Sequence, residues 1–298
     1  MKLNLRSASL LALFLALSTL FITSCQKEQS QNGTPEEQEQ AASRASSEAD
    51  AEAEIIFNGT FDDAMGVNDE VGVGGTGVFG RPNACPTVTI VRPTANPFPV
   101  IVTLDFGPGC TGPDGHFRKG KVITNYTGRL IFPGSMATTT FDGFYFDSVK
   151  VQGTHKITNT STPFTTPPAP DRKYKVEVID GKLTRPSGNF VEWSSVKFIA
   201  QVEGLGTNNP LDDIFKIEGN ARGRVKRGAL IVLWESNIIE PLMKRFNCRW
   251  IVKGKIRTIR GTLAVTSPWV AVLDFGNGSC DNQAVVIING IPHQITLP

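Results

Sequence analysis

The sequence predicts an all-β chain: large antiparallel sheet structure, a sandwich or a partly open barrel, behind a disordered N-terminal tether with at most one short helix. Three observations predict it. From about residue 85 onward, apolar and β-branched residues recur at period two, the spacing of a strand with one buried face. Turn formers break these runs, among them Asp114-Gly115, Asp180-Gly181 and Asn289-Gly290, which suit tight hairpins because the turn needs positive φ. No long helical periodicity separates the strands, which argues against parallel crossover units.

The expected strands include Thr87 to Val91, Val100 to Phe106, Lys121 to Leu130, Lys173 to Ile179, Phe190 to Val202, Arg249 to Ile259, Leu263 to Phe275 and Ala284 to Asn289. The Pro-rich stretch from Thr162 to Pro170 reads as a loop. With 298 residues, 40% hydrophobic and 19% charged, the chain as a whole is neither intrinsically disordered nor coiled-coil. Beyond residue 24 no stretch is long and apolar enough for a membrane-spanning helix.

The first 24 residues read as a signal peptide. Lys2 and Arg6 precede the apolar run from Ala8 to Ile22, and small residues follow. Ile22-Thr23-Ser24-Cys25 resembles the bacterial lipobox, whose cysteine becomes the lipidated first residue of the mature protein; an ordinary cleaved signal or a short anchor is the alternative. Two acyl chains on Cys25 hold a protein firmly where one is marginal. Gln26-Lys27-Glu28-Gln29 partly resembles the signal that sends such lipoproteins to the cell surface, though Gln29 interrupts its acidic run.

Charge then divides the mature chain. Residues 26–70 hold 2 basic and 12 acidic residues, and residues 71–298 hold 26 basic and 16 acidic. Residues 25–70 read as an acidic tether and residues 71–298 as a single β domain. Residues 26–54 lack aromatic, Ile, Leu and Val side chains, so they read as solvated coil. A short helix over residues 46–65 is sketched by Ser46 or Ser47 as cap and by Ile55, Ile56, Phe57, Phe61 and Ala64 as one face, with Gly59 and Thr60 interrupting.

A motif occurs twice. Cys85 opens one strand segment that ends in Leu104-Asp105-Phe106-Gly107 with Cys110 close behind; Cys248 opens another that ends in Leu273-Asp274-Phe275-Gly276 with Cys280 close behind. Hairpins would pair Cys85 with Cys110 and Cys248 with Cys280. Free thiols are the main alternative, and no Cys/His spacing points to a metal. Asp105 and Asp274 are expected to cap their glycine turns rather than bind Ca²⁺ or act as a catalytic pair.

The lipobox, the first L-D-F-G-x-G-C with its following Asp114-Gly115 and Lys119-Gly120-Lys121, and the C-terminal C-R-W-I-V-x-G and D-F-G-N-G-x-C-D-N-Q-A together resemble an uncharacterised lipoprotein family of Bacteroidota, over roughly residues 50–298. The resemblance implies an outer-membrane lipoprotein, on the periplasmic face or the cell surface; it implies no activity and no catalytic residue. Asp147-Ser148-Val149 resembles the O-glycosylation acceptor of that phylum, against the plainer reading of a strand segment.

The strongest functional signal is a basic stripe: residues 216–260 hold 12 basic and 3 acidic residues. Arg249, Lys253, Lys255 and Arg257 fall on one face of a predicted strand, and Arg222, Arg224 and Lys226 share a face of an earlier one. If the strands are close, the patch attracts polyanions, such as lipopolysaccharide phosphates or acidic glycans. The plainer alternatives are a solvated face that keeps the sheet soluble, or the acidic tether folded back on it. Trp193, Trp234, Trp250 and Trp269 are candidate sugar platforms, with core packing the default for Trp250, which alternates with the cations. No specific nucleic acid, metal or cofactor is implied. His116, His155 and His293 lack a nucleophile context, and no hydrolase, phosphate-binding or dinucleotide motif occurs. The chain reads as a non-catalytic binding or structural module of the envelope, the alternative being a glycan hydrolase whose carboxylate pair a β fold conceals.

Overall fold

The chain forms one 14-stranded antiparallel sheet and one long helix, in a computed structural model that describes residues 33–73, 86–112, 115–164, 171–207 and 210–298. The helix is α1 (Pro35–Val73). The strands are β1 (Thr87–Val91), β2 (Val100–Asp105), β3 (Cys110–Thr111), β4 (Phe117–Tyr126), β5 (Met136–Phe146), β6 (Val149–Asn159) and β7 (Lys173–Thr184). They continue with β8 (Phe190–Glu203), β9 (Ile214–Arg227), β10 (Leu230–Arg245), β11 (Ile251–Arg260), β12 (Ala271–Asn277), β13 (Gln283–Ile288) and β14 (Ile291–Thr296). Each strand neighbours the next in sequence, except that β2 pairs with β4 and the short β3 adds to β4 alone. The sheet curls without closing into a barrel, with β1 and β14 as its edges.

The helix corrects two expectations. It is long rather than short, and from Pro35 it replaces the solvated coil expected up to residue 54. Its start is dictated locally. Thr34 Oγ1 accepts from the Glu37 backbone N–H at 3.3 Å, the Glu37 carboxylate accepts from the Thr34 N–H at 2.9 Å, and Pro35 takes the first helical position. From Glu39 on, helix and strands form one compact unit, while the residues up to Gln38 group apart.

Between Ala42 and Met65 nearly every helical side chain is buried, on all sides. Ala42, Ala45, Ala49, Ala51 and Ala53 let the strands approach closely. Further along, Phe57 stacks on Trp193 with ring centroids 5.5 Å apart, and Phe61 meets Tyr174 and Phe215 edge-on at 5.9 Å each. The sheet's inner residues, among them Val102, Ile157, Val176, Ile217 and Leu273, complete this core.

Two turn expectations change. Asn289-Gly290 does form the β13–β14 turn, both residues with positive φ. Asp180-Gly181 instead forms a bulge inside β7, where the register with β8 shifts between Val178 and Gly181. Asp114 lies outside the described residues. The strand expected from Leu263 begins only at Ala271, so residues 261–270 are a loop.

Candidate functional site: a basic band on the outer face

Six of the seven cations expected in the stripe lie on the outer face of the sheet. Arg222, Arg224 and Lys226 alternate along β9 with buried Ala221 and Val225; Lys253, Lys255 and Arg257 alternate along β11 with buried Val252 and Ile256. β10 runs between the two strands. In register, Lys226 stands opposite Ile231, Arg224 opposite Leu233 and Arg222 opposite Glu235, while Arg257 stands opposite Asn237, Lys255 opposite Glu240 and Lys253 opposite Met243. The cations therefore form a diagonal band rather than a compact patch. From Ile231 to Met243 along β10 it extends roughly 35–40 Å at the rise of a strand.

Arg249 is the exception. It precedes β11, and its guanidinium lies over the Phe146 ring at 4.5 Å from the centroid, away from the band. The strand starts at Ile251, so the alternation that placed Arg249 beside Lys253 does not reach back to it. Trp250 is half-buried there, and its indole donates to the Pro298 carbonyl at 2.9 Å.

Two of the band's cations are neutralised by neighbours. Arg224 Nε donates to Glu192 at 2.9 Å, and Lys182 donates to the same carboxylate at 3.1 Å. Burial pushes the Glu192 carboxyl up, but these two donors outweigh it and hold it below the ordinary carboxylate range. Lys255 donates to Glu240 at 2.8 Å and lies 3.7 Å from Asp274, and the Glu240 bond foremost raises its ammonium above the usual value. Arg222, Lys226, Lys253 and Arg257 have no ion pair among the described residues.

Each end of the band opens on a cleft. Arg222, Arg224, Glu192 and Leu233 line one of about 740 Å³. Lys253, Lys255, Glu240, Asp274 and Asp281 line another of about 490 Å³. In the second cleft Glu240 and Asp274 share Lys255, so the carboxylates belong to an ion-pair network.

The inner face carries a second set of charges that sequence reasoning missed. Asp50 accepts hydrogen bonds from the indole N–H of Trp193 at 2.8 Å and of Trp234 at 3.3 Å. Glu54 pairs with Lys197 at 2.8 Å and Asp62 with Lys244 at 2.8 Å, all four buried. Nearer the surface, Arg227 donates to Glu48 and Arg185 to Glu52, both at 2.5 Å, and Arg260 pairs with Glu39. The acidic segment thus folds back on the sheet, but not onto the stripe as one alternative had it. It meets cations at strand ends and on the inner face, not those of the outer band. The available signal was Thr34-Pro35-Glu36-Glu37, a capping box with proline at the first turn. Trp193 and Trp234 are consumed by this contact and offer no sugar platform.

The doubled motif has one geometry at both copies. Asp105 accepts from the Gly107 N–H at 2.8 Å and Asp274 from the Gly276 N–H at 2.9 Å, the expected turn caps. That backbone bond is the main reason the half-buried Asp105 carboxyl sits below its ordinary value. Cys248 and Cys280 form a disulfide, with Cα atoms 5.8 Å apart. Cys110 is disulfide-bonded, while Cys85 and Cys25, the expected lipidation site, lie outside the described residues. Among the described residues no group of His, Cys, Asp and Glu is arranged to hold a metal, and no helix is long and apolar enough to cross a membrane.

No protein family, curated protein or solved structure matches the chain.

Proposed function

We propose that the chain is a lipid-anchored outer-membrane protein of the bacterial cell envelope, a non-catalytic binding module that holds an extended anionic glycan along its outer basic band. The lipobox ending at Cys25 supports the anchor. The observation that carries the ligand reading is the diagonal run of Arg222, Lys226, Lys253 and Arg257, cations without described ion pairs strung between two open clefts. Such spacing suits a polymer with repeated carboxylates or phosphates better than a single small anion, since separate sites along one chain act together. Arginine adds bidentate contacts to either group.

The test is retention on immobilised alginate and on purified lipopolysaccharide at low salt. The triple variant Arg222→Glu, Lys253→Glu, Arg257→Glu should elute at much lower salt than the parent, with an unchanged thermal midpoint. Equal retention of parent and variant would remove the band as the binding surface. Intact mass of the mature chain from envelope membranes checks the anchor separately: Cys25 should carry acyl mass.

A further inference from the structure

The loop joining β11 to β12, residues 261–270, reads Gly-Thr-Leu-Ala-Val-Thr-Ser-Pro-Trp-Val and contains no charge. It is held in place by its own backbone bonds, Leu263 N–H to Arg260 O and Ser267 N–H to Ala264 O, each 2.9 Å. Val265 is nevertheless 59% exposed at its tip. The β13–β14 turn sits against the loop through the Asn289 N–H, which donates to Pro268 O at 3.0 Å, and it presents Ile291 at 52% exposure. On the other side the Gly261 N–H donates to Leu233 O at 3.3 Å, where β10 offers Leu233 and Ile231 at 62% and 55% exposure. Four large apolar side chains from three connected segments thus face solvent at one end of the sheet. Residues 288–293 add no acidic group, and Lys226 and Arg224 stand directly opposite Ile231 and Leu233.

This end is also where the chain enters the folded unit. Arg260 pairs with Glu39, Ser43 Oγ donates to Trp269 O at 2.7 Å, and Gln40 meets His293 at 3.0 Å. Glu39 comes 14 residues after Cys25. The ten residues from Cys25 to the start of α1 at Pro35 reach at most ~35 Å, and α1 runs ~39 Å from Glu39 to Met65 away from this end.

We propose that the β11–β12 loop, the β13–β14 turn and the start of β10 form a bilayer-docking surface. Val265 and Ile291 enter the boundary between headgroups and acyl chains, and Lys226, the cation of the band nearest this end, meets anionic headgroups. The orientation rests on the lipid-anchor reading of Cys25; the surface itself does not. A lipid anchor at the end of a flexible segment leaves the domain free to turn, and a second, protein-borne contact fixes how the rest of the basic band is presented.

The test uses the mature-length chain with Cys25→Ala, which carries no lipid, and vesicles of phosphatidylethanolamine with phosphatidylglycerol. The chain should co-float with these vesicles and less with phosphatidylcholine alone. Brominated acyl chains should quench its tryptophan emission, and Trp269→Phe should remove most of that quenching. Val265→Asp with Ile291→Asp should weaken binding by about tenfold or more, with near-ultraviolet circular dichroism unchanged because both side chains are exposed. Failure of the Cys25→Ala chain to float, or equal flotation of the double-Asp variant, overturns the proposal. So does a concentration-dependent dimer that the same two substitutions dissolve without any vesicle binding, which assigns the face to a second copy. Unmodified Cys25 in the envelope-purified protein would refute the anchor while leaving vesicle binding intact, so the two readings fail separately.

Discussion

Lys244 Nζ lies 2.8 Å from Asp62 Oδ2, and the two side chains are only 2% and 9% exposed. The ammonium also donates to the carbonyls of Cys248 at 2.9 Å and Arg249 at 3.2 Å. This buried pair joins α1 to the end of β10, and its worth lies in the two charges satisfying each other. Lys244→Met strands the Asp62 carboxylate inside the sheet and should lower unfolding free energy by about 3–5 kcal/mol. Lys244→Met combined with Asp62→Leu removes both charges and should recover most of that loss. Urea midpoints of the single and double variants decide it: a double variant as weak as the single would mean that shape, not charge, is what the site requires.

Two buried titrating groups pull stability in opposite directions as pH falls. Burial raises Asp62 to about 6, against the pull of Lys244 and Arg249 and with Asp63 adding to the rise. The folded chain therefore binds that proton more tightly than the unfolded chain. This contribution is full below the unfolded value near 4 and is lost as pH rises through 6. Burial lowers His155 to about 3, so its contribution is full above the unfolded value near 6.5 and is lost as pH falls toward 3. Between pH 4 and 6 the two slopes offset. His155→Gln should leave a chain that becomes more stable as pH drops from 6 to 4. Asp62→Asn should shift the same acidification toward destabilisation relative to the parent, with buried Asp50, also raised by burial, retaining a stabilising share. Thermal midpoints across that range read the slopes directly; parallel profiles for all three chains would refute the assignment.

The sheet was readable because its signals are local. Val100 to Asp105 alternates buried and half-buried along β2, and Asn289-Gly290 can scarcely do anything but turn. The helix was hidden by its partners. Asp50, Glu52, Glu54 and Asp62 look solvated in sequence because nothing nearby in the chain neutralises them. Their partners Trp193, Arg185, Lys197 and Lys244 lie more than 130 residues away. With apolar and satisfied polar residues on every side, α1 has no single apolar stripe for periodicity to detect. The band was half legible: alternation placed cations on one face of β9 and of β11, but no local pattern could show that β10 lies between them.

The Cys248–Cys280 disulfide closes a segment that includes the whole β11–β12 hairpin, with 32 residues of sequence separation. In the chain-entropy account a loop of that size is worth ~3.5 kcal/mol. Cys248→Ala with Cys280→Ala should lower the unfolding free energy by about that amount, and reductant should then have a smaller further effect than on the parent. A double variant with an unshifted urea midpoint would show that the hairpin is already constrained without the bond.

Two glycines should respond to alanine with opposite signs. Gly59 lies mid-helix in α1, and a Cβ placed there meets no atom within 4 Å. Gly59→Ala therefore adds a helix-favouring residue without a clash and should stabilise by about 0.5–1 kcal/mol. Gly223 lies on β9 between Trp193 of β8 and Trp234 of β10 in one cross-strand row. A Cβ there would run into the Trp234 ring and the Glu192 carbonyl. Trp234 is fully buried and its N–H is tied to Asp50, so the ring has nowhere to retreat. Gly223→Ala should destabilise by about 1–3 kcal/mol as an overpacked core does, and it should alter the near-ultraviolet circular dichroism that the buried indoles dominate. Thermal melts of the two variants moving in the same direction would contradict the account of how closely the sheet wraps the helix.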